Sequence, residues 1–235
     1  MSVLQDFWAY IKKPYFSEGK DPLSRQAVPI LGKLLLTNLG LSIAAFLLAN
    51  TLFSTADTDR PSRTSDMMST FDIGRFFIIV AVAPFLEELL FRSWLRKRWG
   101  IKYIFPFAAV LPIWLLAGFL QVQIPPLLIS LIFLALLALE IWMHATYSDQ
   151  DSAAYVDRVF PFAFWVSALT FAFLHLTNFK VEEIGILGLI VVLPQFISGI
   201  FYGYIVKRFG FWTSFLCHGF WNGSLMLVAL ALKSL

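Results

Sequence analysis

Ala81-Val82-Ala83-Pro84-Phe85-Leu86-Glu87-Glu88-Leu89-Leu90-Phe91-Arg92 sets two adjacent carboxylates inside the most apolar part of the chain. The run reads as helix within a bilayer, where a carboxylate costs several kcal/mol unless it is paired, hydrated or protonated. Taken as helical, Glu88 and Arg92 lie four residues apart on one face, acid before base, which is the favourable order. Glu87 is displaced about 100° round the helix from Glu88 and is less well paired. One carboxylate therefore reads as structural and the other as available for proton transfer. Pro84 removes a backbone bond to Val80 and can kink the helix, which could open a small polar cavity beside Glu87.

The rest of the chain supports a membrane setting. Of its 235 residues 59% are hydrophobic and only 14% charged, with mean hydropathy +0.75. A soluble domain carries about 25% charged residues. The expected fold is all-α, a multi-pass helical membrane protein. Each crossing needs about 20 apolar residues, and seven such spans are read at about 29–53, 74–97, 103–121, 125–144, 160–180, 184–206 and 211–232. Residues 1–28 then form an N-terminal interfacial segment and 29–235 a single transmembrane domain. The first 28 residues are too polar to carry the apolar core of a cleavable signal. Phe7–Phe16 mixes aromatics with lysines, which suits a segment lying at the interface and equally a disordered tail. The loop 54–70, rich in Ser, Thr and Asp, reads as aqueous.

Charge sets the orientation. With a cytoplasmic N-terminus, Lys12, Lys13, Lys20, Arg25, Lys33, Arg92, Arg96, Lys97, Arg98, Lys102, Arg158, Lys207 and Arg208 fall inside. Arg60, Arg63, Arg75, Lys180 and Lys233 fall outside, as the positive-inside bias requires. The net charge of only +3 reflects basic loops, and no Gly-rich phosphate loop or aromatic RNA-binding motif is present. Expected partners are the lipid bilayer and a membrane-associated peptide or protein substrate, not nucleic acid. The lone Cys217 excludes an intramolecular disulfide and any multi-cysteine metal site.

Two histidines fall in spans at informative places. His175 follows Phe171 by one turn, and the phenyl ring could hold the imidazole by packing. His218 and Asn222 share one helical face, flanked by Gly219 and Gly223, which leave room for backbone or substrate. His144 and Glu140 read as interfacial, and Glu182 and Glu183 as a solvated link beside Lys180. Gly199 and Gly203 form a small-xxx-small pair suited to helix packing. A di-glutamate with its arginine, a histidine in a later span and a histidine–asparagine face in another supply a general base, a second base or orienter, and hydrogen-bond donors. These are the parts for activating water against a carbonyl and stabilising the oxyanion. In depth, Glu87 and Asn222 fall near mid-membrane and His175 towards the outer end of its span.

In that order, Glu-Glu-x-x-x-Arg (Glu87, Glu88, Arg92), Phe-x-x-x-His (Phe171, His175) and His-x-x-x-Asn (His218, Asn222) resemble the CPBP family of intramembrane proteases. The name covers CAAX proteases and bacteriocin-processing enzymes, with the type II CAAX prenyl endopeptidases among them. The resemblance implies a glutamate-dependent endopeptidase without a cofactor. Glu87 and His175 would activate water, His218 and Asn222 would form the oxyanion hole, and Glu88 and Arg92 would hold the first motif. Two features depart from the family pattern. Ser93 stands where glycine usually follows the arginine, and the interval from Arg92 to Phe171 is longer, holding two extra spans that could reshape substrate access. Three other readings stay open: a zinc enzyme using Glu87, His175 and His218 as ligands, a non-catalytic scaffold or immunity-type protein of the same fold, and a proton-coupled transporter. The expected location is a bacterial plasma membrane.

Overall fold

The computed structural model describes residues 2–17, 25, 27–55, 72–146, 149–179 and 185–233, and within them the chain forms helices and turns with no strand. The helices are α1 (Val3–Lys12), α2 (Ala27–Thr55), α3 (Ile73–Phe77), α4 (Ala83–Phe91), α5 (Arg98–Phe119), α6 (Pro126–Thr146), α7 (Asp149–Leu174), α8 (Gly188–Val191), α9 (Leu193–Phe209) and α10 (Phe211–Lys233). A π-helix over Ile78–Val82 joins α3 to α4, and single 3-10 turns cover Ser93–Arg96, His175–Asn178 and Gly185–Leu187.

Among the described residues, four stretches are long and apolar enough to cross a membrane: Ala27–Phe53, Arg98–Phe119, Ala153–Asn178 and Gly185–Phe209. The expected uninterrupted span at 74–97 is instead broken into α3, the π-helix, α4 and a 3-10 turn. The cause lies in the sequence. Pro84 at the start of α4 has no N–H to donate, and the five-residue hydrogen bonding just before it takes up the extra residue. The loop expected at 54–70 lies largely outside the described residues, as do Glu182, Glu183 and Lys180.

α9 is the hub. It packs on α2, α7 and α10, while α5 packs on α7 and α10 lies against the π-helix and α4. Two glycines allow α9 and α7 to approach. A Cβ at Gly199 would sit 3.3 Å from Ala168 Cα, and one at Gly203 would sit 2.8 Å from the Phe164 ring. The expected packing role of this pair is therefore met. Among the described residues α6 packs chiefly on α5 and leaves Leu127, Leu131, Leu134 and Ile141 exposed, the pattern of a helix whose other face meets lipid.

Two clusters of buried side chains mark the ends of the bundle. One joins Phe7 and Leu34 to Leu95, Ile101, Phe160, Phe201 and Phe209; the other joins Phe53, Phe119, Leu176 and Val191. The N-terminal segment is neither tail nor free interfacial helix over its first part. α1 is capped by Ser2 in a reciprocal box with Gln5 and docks by Phe7, stacked 4.3 Å from Phe201. Asp6 bonds Tyr204 and pairs with Arg208. The Tyr10 hydroxyl donates to Tyr15 O at 3.4 Å, and burial pushes its pKa far above the ordinary tyrosine value.

Candidate active site

Three helices and one turn bring the chemistry together. α4 carries Glu87 and Glu88 on successive residues, and the helix ends at Phe91, so that Arg92 caps it and turns inward. The expected division of labour between the two carboxylates appears in their surroundings. Glu88 and Arg92 are both 0% exposed, with Oε1 and Nη1 3.4 Å apart. The guanidinium lies over the Phe171 ring at 3.9 Å, a cation–π contact that compensates for the absence of hydrogen bonds to its nitrogens. Glu88 is otherwise saturated: Ser214 Oγ donates to Oε2 at 2.7 Å, and His218 Nδ1 lies 3.1 Å from Oε1. Glu87 is different. Its side chain is 19% exposed, and Oε2 lies 3.3 Å from His218 Nε2 without the alignment of a hydrogen bond.

His218 therefore sits between the two carboxylates with one ring nitrogen towards each. A carboxylate only accepts, so Nδ1 carries the proton it gives Glu88. Its other nitrogen, Nε2, faces Glu87 Oε2 at 3.3 Å. The ring is boxed by Tyr202, stacked at 4.5 Å and 21°, and by the edge of Phe171 at 5.7 Å and 78°.

His175 opens the 3-10 turn that ends α7. Its Nδ1 lies 2.8 Å from the Phe171 carbonyl. A carbonyl cannot donate, so Nδ1 holds a hydrogen, and in the neutral ring Nε2 is the nitrogen with the lone pair. Phe171 also holds the ring by an edge contact at 4.7 Å, as its place one turn earlier suggested. Electrostatic interactions link His175 to Glu87, His218 and Arg92, although no direct hydrogen bond joins it to Glu87. The offset in depth read from the sequence is thus bridged by Phe171, which touches Arg92, His175 and His218.

Asn222 is one turn beyond His218, and its Nδ2 donates to Ile79 O at 3.1 Å. That carbonyl belongs to the π-helix, where the widened turn leaves acceptors to be satisfied. Gly219 serves the same contact: a Cβ there would overlap the Val80 carbonyl, so the glycine admits backbone. A cavity of about 300 Å³ is walled by Trp114, Phe119, Val122, Ile124, Phe173 and Leu176, the last of these in the turn that His175 opens. Trp114 and Phe119 belong to α5, the first of the two extra spans after Arg92, and Val122 and Ile124 to the link that follows it. Among the described residues no three His, Cys, Asp or Glu side chains are grouped as a metal-ligand set.

Two contributors were not singled out from the sequence. Ser214 stands four residues before His218, a spacing that signals a shared helical face. Tyr202 gave no such signal, being one aromatic among several in α9.

No curated protein and no solved structure matches the chain. The family model described as type II CAAX prenyl endopeptidase Rce1-like matches residues 69–224, a stretch that begins before Glu87 and ends after Asn222 and so takes in all three motifs. The chain accordingly belongs to the type II CAAX prenyl endopeptidase Rce1-like family.

Proposed function

We propose that the protein is an intramembrane endopeptidase in which Glu87 and His175 activate water, and His218 and Asn222 stabilise the oxyanion. The observation that carries this reading is the contrast between the two glutamates: Glu88 is buried and fully engaged, whereas Glu87 keeps an oxygen without a hydrogen bond beside His218. Water held by Glu87 gives a proton to the carboxylate or to His175 Nε2, and its oxygen adds to the scissile carbonyl carbon. The oxyanion so formed is met by the Nε2–H of His218 and the second amide hydrogen of Asn222. Collapse breaks the C–N bond, and the proton taken from water passes to the departing amine. Glu88, Arg92 and Phe171 hold the two acting side chains of the first and second motifs in register. No cofactor is needed for these steps.

The family's name supplies the substrate class: a protein or peptide with a prenylated cysteine near its C-terminus. A multi-pass arrangement with the N-terminus on the cytoplasmic side fits the placement of charge. Lys97, Arg98, Arg158 and the docked α1 gather at the end where α5 and α7 begin, with Arg98 paired to Asp157 at 3.2 Å. Seven passages are consistent with α2, α5, α7 and α10 leading away from that end and the α3–α4 segment, α6 and α9 leading back. A bacterial plasma membrane remains the proposed location.

The test is cleavage of a fluorescence-quenched peptide ending in a prenylated cysteine, two aliphatic residues and one further residue. Glu87→Gln and His175→Ala are expected to abolish cleavage while leaving the melting temperature near that of the wild type. His218→Ala and Asn222→Ala are expected to lower kcat more than they raise KM. Full activity of Glu87→Gln would refute the assignment.

A further inference from the structure

His218 can serve the proposed reaction only if its plane is fixed, because a quarter turn about the Cβ–Cγ bond would take both ring nitrogens away from the glutamates. We propose that Tyr202 is the positioning residue that fixes it, an inference that rests on the proteolytic reading above.

Three observations converge on Tyr202. Its ring is 0% exposed and lies nearly parallel to the imidazole, 4.5 Å away at 21°. With the Phe171 edge on another side, rotation of the imidazole would drive its edge into the tyrosine face. The backbone carbonyl of the same residue is 3.2 Å from Ser214 Oγ, which holds Glu88 Oε2 at 2.7 Å. The single hydroxyl hydrogen of Ser214 goes to Glu88 at the shorter distance, so Tyr202 meets His218 by its ring and only sets its carbonyl beside that serine. Its hydroxyl, by contrast, is buried without a hydrogen-bond partner. The geometry therefore assigns the work to the aromatic face and none to the oxygen. Gly203, the next residue, lets the Phe164 ring close against α9.

The experiment compares wild type, Tyr202→Phe, Tyr202→Leu, Tyr202→Met and Glu87→Gln, purified in detergent, on the prenylated peptide described above. Tyr202→Phe keeps the stack, so its kcat and KM should stay within about twofold of wild type. Tyr202→Leu removes the stack, and the value of an aromatic pair sets an expected loss of about five- to tenfold in kcat with KM nearly unchanged. Tyr202→Met, flexible and long enough to fill the space, should follow Leu and stands in if the Leu variant does not fold. A second readout needs no activity. The chain has three histidines, so the ring 13C–1H signals of labelled protein can be assigned by single substitution. The His218 signal should be shifted upfield by the tyrosine ring current in wild type and Tyr202→Phe, and lose that shift in Tyr202→Leu or Tyr202→Met.

Wild-type kcat in the Leu or Met variant would overturn the proposal. So would a loss in Tyr202→Phe equal to that in Leu, or a His218 signal indifferent to position 202. If Glu87→Gln is inactive while Tyr202→Leu is fully active, the proteolytic reading stands and only the positioning role falls. If Glu87→Gln is fully active, or no protein cleaves the peptide, the functional or substrate reading falls, and the positioning role that rests on it falls too, the ring signal then reporting only that the two rings stack.

Discussion

Removing Arg92 tests whether the first motif is held by a buried ion pair. In Arg92→Met the cation is lost while a side chain of similar length remains. Glu88 would then sit at 0% exposure with only Ser214 and His218 to compensate its charge. Breaking a buried pair from one side costs about 3–5 kcal/mol, because the surviving charge stays desolvated. The contact of the guanidinium with Phe171 at 3.9 Å is lost as well. For a chain of this size each kcal/mol moves the melting temperature by about 2–4 °C, so a fall of about 6–20 °C is expected. The double variant Glu88→Gln/Arg92→Met removes both charges, and the glutamine can still accept from Ser214. It should recover much of the loss, giving a coupling of about 2 kcal/mol in the double-mutant cycle. Arg92→Lys should fall between, since an ammonium keeps the charge without the planar face that stacks on Phe171. The assay is thermal unfolding in one detergent, monitored by circular dichroism on the three variants, Glu88→Gln and wild type. An Arg92→Met protein that melts within about 2 °C of wild type, or a coupling below about 0.5 kcal/mol, would refute the ion-pair argument.

Other outcomes follow from particular contacts. Gly219→Ala should destabilise by about 1–3 kcal/mol because its Cβ meets the Val80 carbonyl. Gly223→Ala should be neutral or stabilising by up to about 1 kcal/mol: its Cβ would touch Val80 Cγ2 at 3.4 Å while helix propensity improves. Melting temperatures of the pair check both. The raised pKa of Tyr10 stabilises α1 docking fully below about pH 10, the unfolded tyrosine value, and that contribution is lost as pH rises beyond it. Protease nicking between α1 and α2 should therefore increase above pH 10 in wild type and rise less steeply in Tyr10→Phe, where Tyr204 beside Asp6 still titrates. Peptide cleavage should survive chelation of divalent metals. Activity lost to a chelator and restored by stoichiometric zinc would support the metal-dependent reading.

Composition and spacing alone indicate helices in a membrane and single out seven candidate site residues. Both follow from local rules: apolar length sets a span, and a four-residue spacing sets a shared face. Such rules placed Glu88 with Arg92, Phe171 with His175, and Gly199 with Gly203 in a packing seam. They also distinguished the more available Glu87 from its neighbour. Contacts between segments distant in sequence were beyond their reach. That His218 would lie between both glutamates depends on how α10 meets α4, a matter of helix crossing and depth that no local pattern records. The π-helix before Pro84 arises where a missing N–H meets the packing of α10, and it redirects Asn222 to the Ile79 carbonyl. α1 reads as an interfacial or disordered segment from its mixture of aromatics and lysines; its docking required the Phe201 and Tyr204 surface of α9. Tyr202 is one aromatic among many in sequence and becomes distinctive only through the plane of the imidazole stacked against it. The sequence determined which groups enter the membrane and on which helical faces they stand. Tertiary structure decided which of them meet, because burial and orientation are set by neighbouring helices.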